Sequence, residues 1–456
     1  MPSYFSPGIY VEEVPSGARP IGPASTSIAA FVGLAPDRDA HLGRAVPVNN
    51  WTEFLRLFAA GERVESTPLA RAVFGFLDNG GARCWVVNVG AGGAITGTGQ
   101  RRGGLQLLEA IDEISIIAAP GFHDVVSHEA LLSMAERTRT MVAICDPAPD
   151  IDDISALTRV ATPSSGKPPK PAEGTAGGSA GPGGGSGGAG GGSGGAGGGS
   201  GGAGGGSGGG SGGGSGGGSG GGSAQPGGSG GHEGAAYRPR QSEFGAFYYP
   251  WLRVRDPISG ELELTPPSGH LAGIWARTDA LRGVHKAPAN EPVRGAVDLA
   301  YLVTRPEHDV LNPKGVNVIR YFAGEGIRVW GARTLAAEAS EWRYLNVRRL
   351  SIAIEQAIAN GTRWMVFEPN DFTLWRSIRR DIGAFLTRVW RDGALLGRSP
   401  EEAFFVKCDE ETNPVDVRDA GMVIAHIGIA VVKPAEFVVF KLSQWAGGTE
   451  TETIGG

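Results

Sequence analysis

The chain has 456 residues, 41% of them hydrophobic, and a formal net charge of −6. That length carries two or three domains with real cores, while the acidic balance argues against wrapping nucleic acid, which takes a basic surface. The opening MPSYFSPGIYVEE has neither the basic start nor the apolar core of a secretory leader, and the longest apolar run, Met422 to Val432, is interrupted by His426 and too short to cross a bilayer.

In chain order, the first twenty residues carry Pro2, Pro7, Pro15 and Pro20, which block a helix and predict an extended arm. Its apolar residues Tyr4, Phe5, Ile9, Tyr10 and Val11 follow no helical period and must be buried against something. Next come a strand over Arg83 to Val89, a helix over Leu105 to Glu113, a strand over Ser115 to Ala119, a helix over His128 to Arg139 and a strand over Thr140 to Cys145. Such alternation predicts an α/β layer with a mainly parallel sheet. Cys84, Cys145 and Cys408 lie far apart, each in or at the end of an apolar run, and read as free buried thiols of a reducing compartment. The sequons at Asn50 and Asn360 read as ordinary loop and helix-end residues.

The Gly/Ser/Ala tract from Gly174 to Gly231 has no side chains that bury area, so it is expected to stay a flexible coil, with an r.m.s. span of about 40 Å. Loop-closure cost grows only with the logarithm of length, so a surface loop tolerates it. Beyond the tract, Val347, Leu350, Ile354, Ala357 and Ile358 repeat at helical steps, with Gly361 placed for a left-handed cap. Trp364 to Glu368 reads as a strand stopped by Pro369. Asn370 or Asp371 then caps a helix whose Trp375, Ile378, Ile382, Phe385, Leu386 and Val389 form one apolar stripe ending near Gly393. Ser399-Pro400-Glu401-Glu402 has capping-box spacing, and Phe404 to Cys408 and Met422 to Val432 read as strands. At the far end Val438, Phe440 and Leu442 alternate with Val439, Lys441 and Ser443, the pattern of a half-buried strand. Extended ends of this kind either tuck onto their own domain or pair with a neighbour's sheet.

No catalytic or metal-binding constellation stands out. The turn Gly90-Ala-Gly92-Gly93 after a strand lacks the third glycine of a dinucleotide fingerprint, whose place is Ile95. Cys408, Asp409 and His426 make a poor nucleophile set, because the first two point to opposite faces of a continuing strand and His426 reads as a satisfied core histidine. Asp409, Glu410 and Glu411 lack the spacing of a calcium loop, and no histidine pair has zinc spacing. A nucleotide-binding α/β enzyme and a non-contractile scaffold or surface-array protein are the rival readings. Turnover assays and electron microscopy separate them.

What is dense instead is a series of Trp, Gly, Pro and Asn blocks: PPSGHLAGIWARTDALRGVHKAPAN (Pro266 to Asn290), NPKGVNVIRYFAGEGIRVWGARTL (Asn312 to Leu335), WRYLNVRRLSIAIEQAIANGTRWMVFEPND (Trp342 to Asp371) and KPAEFVVFKL (Lys433 to Leu442). With YFSPGIYVEEVPSG, TSIAAFVG and FLDNGGARCWVVNV at the amino end, they resemble the contractile sheath proteins of phage tails and contractile injection systems. The chain departs from that pattern by inserting the glycine tract before its YYPW block, Tyr248 to Trp251.

The resemblance implies an α/β fold with mixed sheets and packed helices, in which a core sheath domain built from N-terminal and C-terminal parts carries an inserted α/β domain. Its segments are an arm over 1–25, an N-terminal sheath part over 26–90, an inserted α/β region over 91–173, the tract over 174–231, its continuation over 232–335, a C-terminal sheath domain over 336–432 and a strand and tail over 433–456. Both arms are implied to exchange strands between subunits, through Tyr4, Phe5, Ile9, Tyr10 and Val11 and through Phe437, Val438, Val439, Phe440 and Leu442. Arg376, Arg380 and Arg391, sharing one helix face, are implied to face an inner tube. The implied partners are copies of itself in a six-fold helical polymer, the tube protein, and baseplate and terminal cap proteins, with no cofactor, nucleic acid or membrane insertion. Assembly in the bacterial cytoplasm is implied, in a phage tail or a released tail-like particle.

Overall fold

Five consecutive buried residues form the first strand of the computed structural model, β1 (Ala29–Gly33), as expected of a strand covered on both faces. The structure describes residues 20–61, 64–97, 102–161 and 237–439. After β2 (Ala45–Val48), Asn50 caps α1 (Trp51–Phe58) by accepting from Glu53 N at 2.8 Å. Thr67 and a first-turn proline start α2 (Pro68–Asp78). Then come β3 (Cys84–Asn88), β4 (Ile116–Ala118), α3 (Val125–Thr138) and β5 (Val142–Cys145). The predicted helix over Leu105 to Glu113 is only a 3-10 turn, Gly104–Leu108, because the left-handed Gly104 and the nearby strand β4 leave no room for more.

The chain resumes with β6 (Gly245–Tyr249), β7 (Leu252–Arg255), β8 (Leu262–Thr265), α4 (Ser268–Arg282), β9 (Glu291–Pro292), β10 (Ala296–Leu299), α5 (Arg305–Leu311), β11 (Val316–Phe322) and β12 (Gly326–Val329). A nine-stranded sheet runs β2-β3-β1-β4-β5-β6-β11-β12-β9. From β3 to β11 it is parallel, with Ala29 opposite Cys84 and Ile116, and Ile144 opposite Ala246. The edges β2, β12 and β9 are antiparallel. A separate antiparallel sheet runs β10-β7-β8. Cys84 and Cys145 are buried and free in the parallel strands, as is Cys408 further on.

One helix pair packs tightly enough to exclude side chains. A Cβ on Gly75 of α2 would come within 2.4 Å of the His270 ring, and on Gly269 of α4 within 2.3 Å of the Ala72 carbonyl. Gly273 meets the Phe76 carbonyl in the same way, so the two helices lie nearly backbone to backbone.

The last part holds α6 (Leu345–Thr362), α7 (Phe372–Arg391), α8 (Pro400–Ala403), β13 (Phe404–Lys407), α9 (Val415–Asp419) and β14 (His426–Ile429), with β13 and β14 forming a two-stranded antiparallel sheet. Asp371 caps α7 by accepting from Leu374 N at 2.9 Å, and its predicted apolar stripe is buried except for Val389, which is half-buried. Four sequence expectations need correction here. Gly361 is not a left-handed cap: α6 runs through it, and its missing Cβ makes room for Ile21 at 2.6 Å. Trp364 to Glu368 is not a strand but a 3-10 turn, Arg363–Met365, followed by an exposed Val366 and a fully exposed Phe367 at φ +71°. The strand predicted over Met422 to Val432 shrinks to β14. Ser399 makes no side-chain cap hydrogen bond, and α8 is a single turn.

Two hydrophobic clusters result. The larger is built on the nine-stranded sheet with α2, α3 and α4, and ends at Leu345 and Ile352 of α6. The smaller joins Ile21 to Leu350, Ile354 and Ala357 of α6, the stripe of α7, and Cys408.

Candidate assembly surfaces

The places where an α/β sheet would hold a ligand are filled by the chain itself. In this strand order the crevice falls between β1 and β4, whose neighbours diverge at their carboxyl ends. There a Cβ on Gly33 would touch Leu69 at 3.2 Å, and one on Gly121 would touch Pro68 at 3.1 Å, so the first turn of α2 occupies the crevice. The Gly90 turn opens no helix. It is laced by the buried Asn88, which donates to the carbonyls of Asp37, Arg38 and Ala40 and accepts from Ala35 N and Gly90 N. Among the described residues no group of three or more His, Cys, Asp or Glu side chains is placed to hold a metal ion, and no helix is long and apolar enough to cross a membrane.

The Cys408, Asp409 and His426 set does not come together as a reacting group. Burial pushes the Cys408 thiol up, and its contact is the Asn413 amide at 3.7 Å. Asp409 accepts from the backbone of Glu411 and Thr412 in a local turn. His426 is exposed on β14 opposite Lys407, so the expectation of a core histidine is corrected: the strand has only one face against the small core, and His426 is on the other.

The sequence blocks turn out to be joinery. In the YYPW block, Tyr248 accepts from Trp275 Nε1 at 3.3 Å, and Trp251 Nε1 donates to the Pro147 carbonyl at 2.8 Å. Arg348, buried, lies between the rings of Trp342 and Phe244, at 4.2 and 4.6 Å from their centroids. Arg349 is paired with Asp279 at 2.6 Å, donates to the Thr26 carbonyl and lies over Trp275. Through these contacts the two side chains fasten α6 to the large core. Sequence reasoning missed these roles and the α2–α4 contact, although the glycines four apart at 269 and 273 were a visible sign of close approach.

Three surfaces remain outward-facing. Arg376, Arg380 and Arg391 are exposed on α7, away from its buried stripe. Arg380 is committed in part, its Nε lying 2.9 Å from the buried Asp381 carboxylate. The two-stranded sheet β13–β14 is the second: among the described residues no further strand is paired to either of its edges. An isolated two-stranded sheet is marginal and its edges are templates for pairing. Third, the chain leaving β14 runs past Leu395, paired with Val431, and past Asn346, whose amide donates to the Val432 carbonyl. It reaches Glu436, gripped by Arg333, and then exposes Phe437, Val438 and Val439. Of the predicted arm contacts, Tyr4, Phe5, Ile9, Tyr10, Val11, Phe440 and Leu442 lie outside the described residues.

Among the described residues, then, this α/β protein combines a crevice occupied by its own helix, a two-stranded sheet with unpaired edges and an apolar segment held outward. Residues 240–335 match the family model described as the phage tail sheath protein central domain, and 337–444 match the phage tail sheath C-terminal domain. The chain is 33% identical over 178 residues to the tail sheath protein of Vibrio phage KVP40, covering 38% of this chain and 25% of that one. It is 29% identical over 201 residues to the tail sheath protein of Burkholderia phage BcepMu, covering 42% and 41%. The matched stretches thus span only a quarter to two-fifths of these relatives' lengths. Among solved structures, the helical sheath of the anti-feeding prophage in its contracted state superposes with a TM-score of 0.66 at 26% identity, covering 97% of this chain and 100% of that one. The contracted PVC sheath complex of an extracellular contractile injection system shares the fold, with a TM-score of 0.67 at 24% identity over 98% and 99% of the two chains. Residues 240–444 thus carry two phage tail sheath domains, and these relatives and structures support a contractile tail sheath family for this chain.

Proposed function

We propose that this chain is the repeating subunit of a contractile sheath: it polymerises with six-fold helical symmetry around an inner tube and shortens from a metastable extended state to drive that tube through a target membrane, doing no bond chemistry. The observation that carries the reading is the end-to-end likeness to the contracted anti-feeding prophage sheath, combined with an open-edged sheet and an outward apolar segment on the same subunit. Heterologous contacts that do not close on themselves generate open helical polymers. Residues 1–25 and 433–456 supply such contacts by adding strands to a neighbour's β13–β14 sheet, which gains backbone hydrogen bonds and side-chain pockets. If only the contracted lattice is the free-energy minimum, the extended one is a kinetic trap, and a difference of roughly a few kcal/mol per subunit, summed cooperatively, does the work.

Arg376, Arg380 and Arg391 present positive charge to the tube in this reading. Baseplate and terminal cap proteins are the partners at the two ends. Assembly takes place in the bacterial cytoplasm, in a phage tail or a tail-like particle that is later released. Co-expression of the full chain with its tube and baseplate proteins tests the proposal by cryo-electron microscopy: six-fold tubes of two lengths are expected, and removing residues 1–20 should abolish them. Sheets, closed oligomers or a monomer from the intact chain would reject it.

A further inference from the structure

The C-terminal segment changes character at one residue. Before it, residues 430–435 lie along the body, with Leu396 N donating to the Ala430 carbonyl and Asn346 to that of Val432. After it, Phe437, Val438 and Val439 are 73%, 69% and 79% exposed. The residue between is Glu436, and its carboxylate is unusually well held. Arg333 grips it with two parallel bonds, Nε to Oε1 at 2.8 Å and Nη2 to Oε2 at 2.7 Å. Asn312 Nδ2 adds a third at 2.8 Å, and the Tyr344 hydroxyl a fourth at 3.2 Å.

The socket is rigid independently of Glu436. The Arg333 side chain is buried and also donates from Nη1 to the Asn312 carbonyl at 3.0 Å. Its backbone is clasped by Asn317, which accepts from Arg333 N at 2.7 Å and donates to its carbonyl at 2.8 Å. Tyr344 is the N-cap residue immediately before α6. A planar guanidinium held in this way presents its fork in one orientation, so the carboxylate that fits it is positioned rather than merely attracted.

We infer that Glu436 is the anchor of the outgoing C-terminal arm, a carboxylate seated in a prebuilt socket that fixes where the apolar residues after it leave the subunit to meet a second copy of this chain. The inference rests on the reading of the chain as an assembling subunit. A strand that adds to a neighbour's sheet must arrive in register, because a one-residue slip turns every side chain to the other face. An arm rooted at a fixed point loses less freedom on pairing than one rooted further back, so anchoring favours assembly. Glu436 is thus a positioning residue, acting through the segment it holds.

The test uses the full chain with Glu436→Gln, which keeps the shape and removes the charge, and Glu436→Asp, which keeps the charge. Hydrogen exchange of the unassembled subunit should speed up at residues 430–439 in Glu436→Gln and stay unchanged in the cores. Sheath yield beside the cognate tube should fall at least about tenfold, the scale of one charge-assisted hydrogen bond, and Glu436→Asp should recover most of it. Unchanged exchange in this segment overturns the inference, and so does faster exchange with normal sheath yield. Exchange rising through both cores, with sheath lost, would mark a general folding role and overturn it too. Failure of the wild-type chain to assemble would reject the sheath reading instead, with the exchange comparison still testing the anchor.

Discussion

At Gly75 the absence of a side chain is set against the presence of a whole imidazole. The His270 ring is buried, and burial pushes it down to about 4, so it stands there neutral at physiological pH. A methyl group placed on Gly75 would sit 2.4 Å from the ring's Nδ1 and Cε1. Gly75→Ala should therefore destabilise the unassembled subunit by about 1–3 kcal/mol, the usual cost of overpacking, seen as a lower denaturant midpoint. An unchanged midpoint would mean that the helices part freely. Residues whose role is local were largely legible in the sequence: of the two caps it offered for α7, Asn370 and Asp371, the second accepts from Leu374 N. Gly361, His426, Glu436 and the buried pair Arg349–Asp279 were not, because each is defined by a partner far along the chain. Gly361 faces Ile21, and Glu436 faces Arg333.

Helix α7 was read correctly along its whole length, since one apolar stripe and a cap determine both its ends and its buried face. The strands β3, β4 and β5 were legible for a related reason: apolar runs bounded by turns suffice when both faces are covered. In Trp364 to Glu368 an apolar run is not evidence of burial, since Val366 and Phe367 face outward. The outward face of α7 belongs to the same scale. Arg380 is partly engaged by Asp381, so the discriminating variant reverses Arg376 and Arg391 alone. Arg376→Glu with Arg391→Glu should leave the fold intact and weaken association with the tube several-fold in low salt, with the difference shrinking as salt is added. Pull-down of tube protein across an ionic-strength series checks this, and equal binding at low salt would remove α7 from the tube-facing surface.

For the molecule as a whole, strands β5 and β6 are neighbours in the sheet although the glycine tract separates them in sequence. The described residues on either side of it meet: Ala161 N donates to the Arg238 carbonyl at 2.9 Å, and Arg238 N to that of Arg159 at 3.0 Å. Arg240 then braces this neck by gripping Glu129 and Glu136 of α3. Deleting residues 174–231 should leave the fold and the assembled lattice unchanged and raise stability by about 1 kcal/mol, since a shorter loop costs less to close. Loss of the folded subunit would show that the tract contributes to the body. The tract is visible in the sequence, but the meeting of Arg159 and Ala161 with Arg238 is not, because that is a property of strand order.

Helix α6 gives Leu345 and Ile352 to the large core and Leu350, Ile354 and Ala357 to the small one, and the buried cations Arg348 and Arg349 fasten it. A girder shared by two rooms cannot let one tilt against the other without bending or tearing out its fastenings. Force applied at one end of the subunit therefore reaches the other as torque on a single stiff part, and any give in a lattice of such parts has to come from the joints between them.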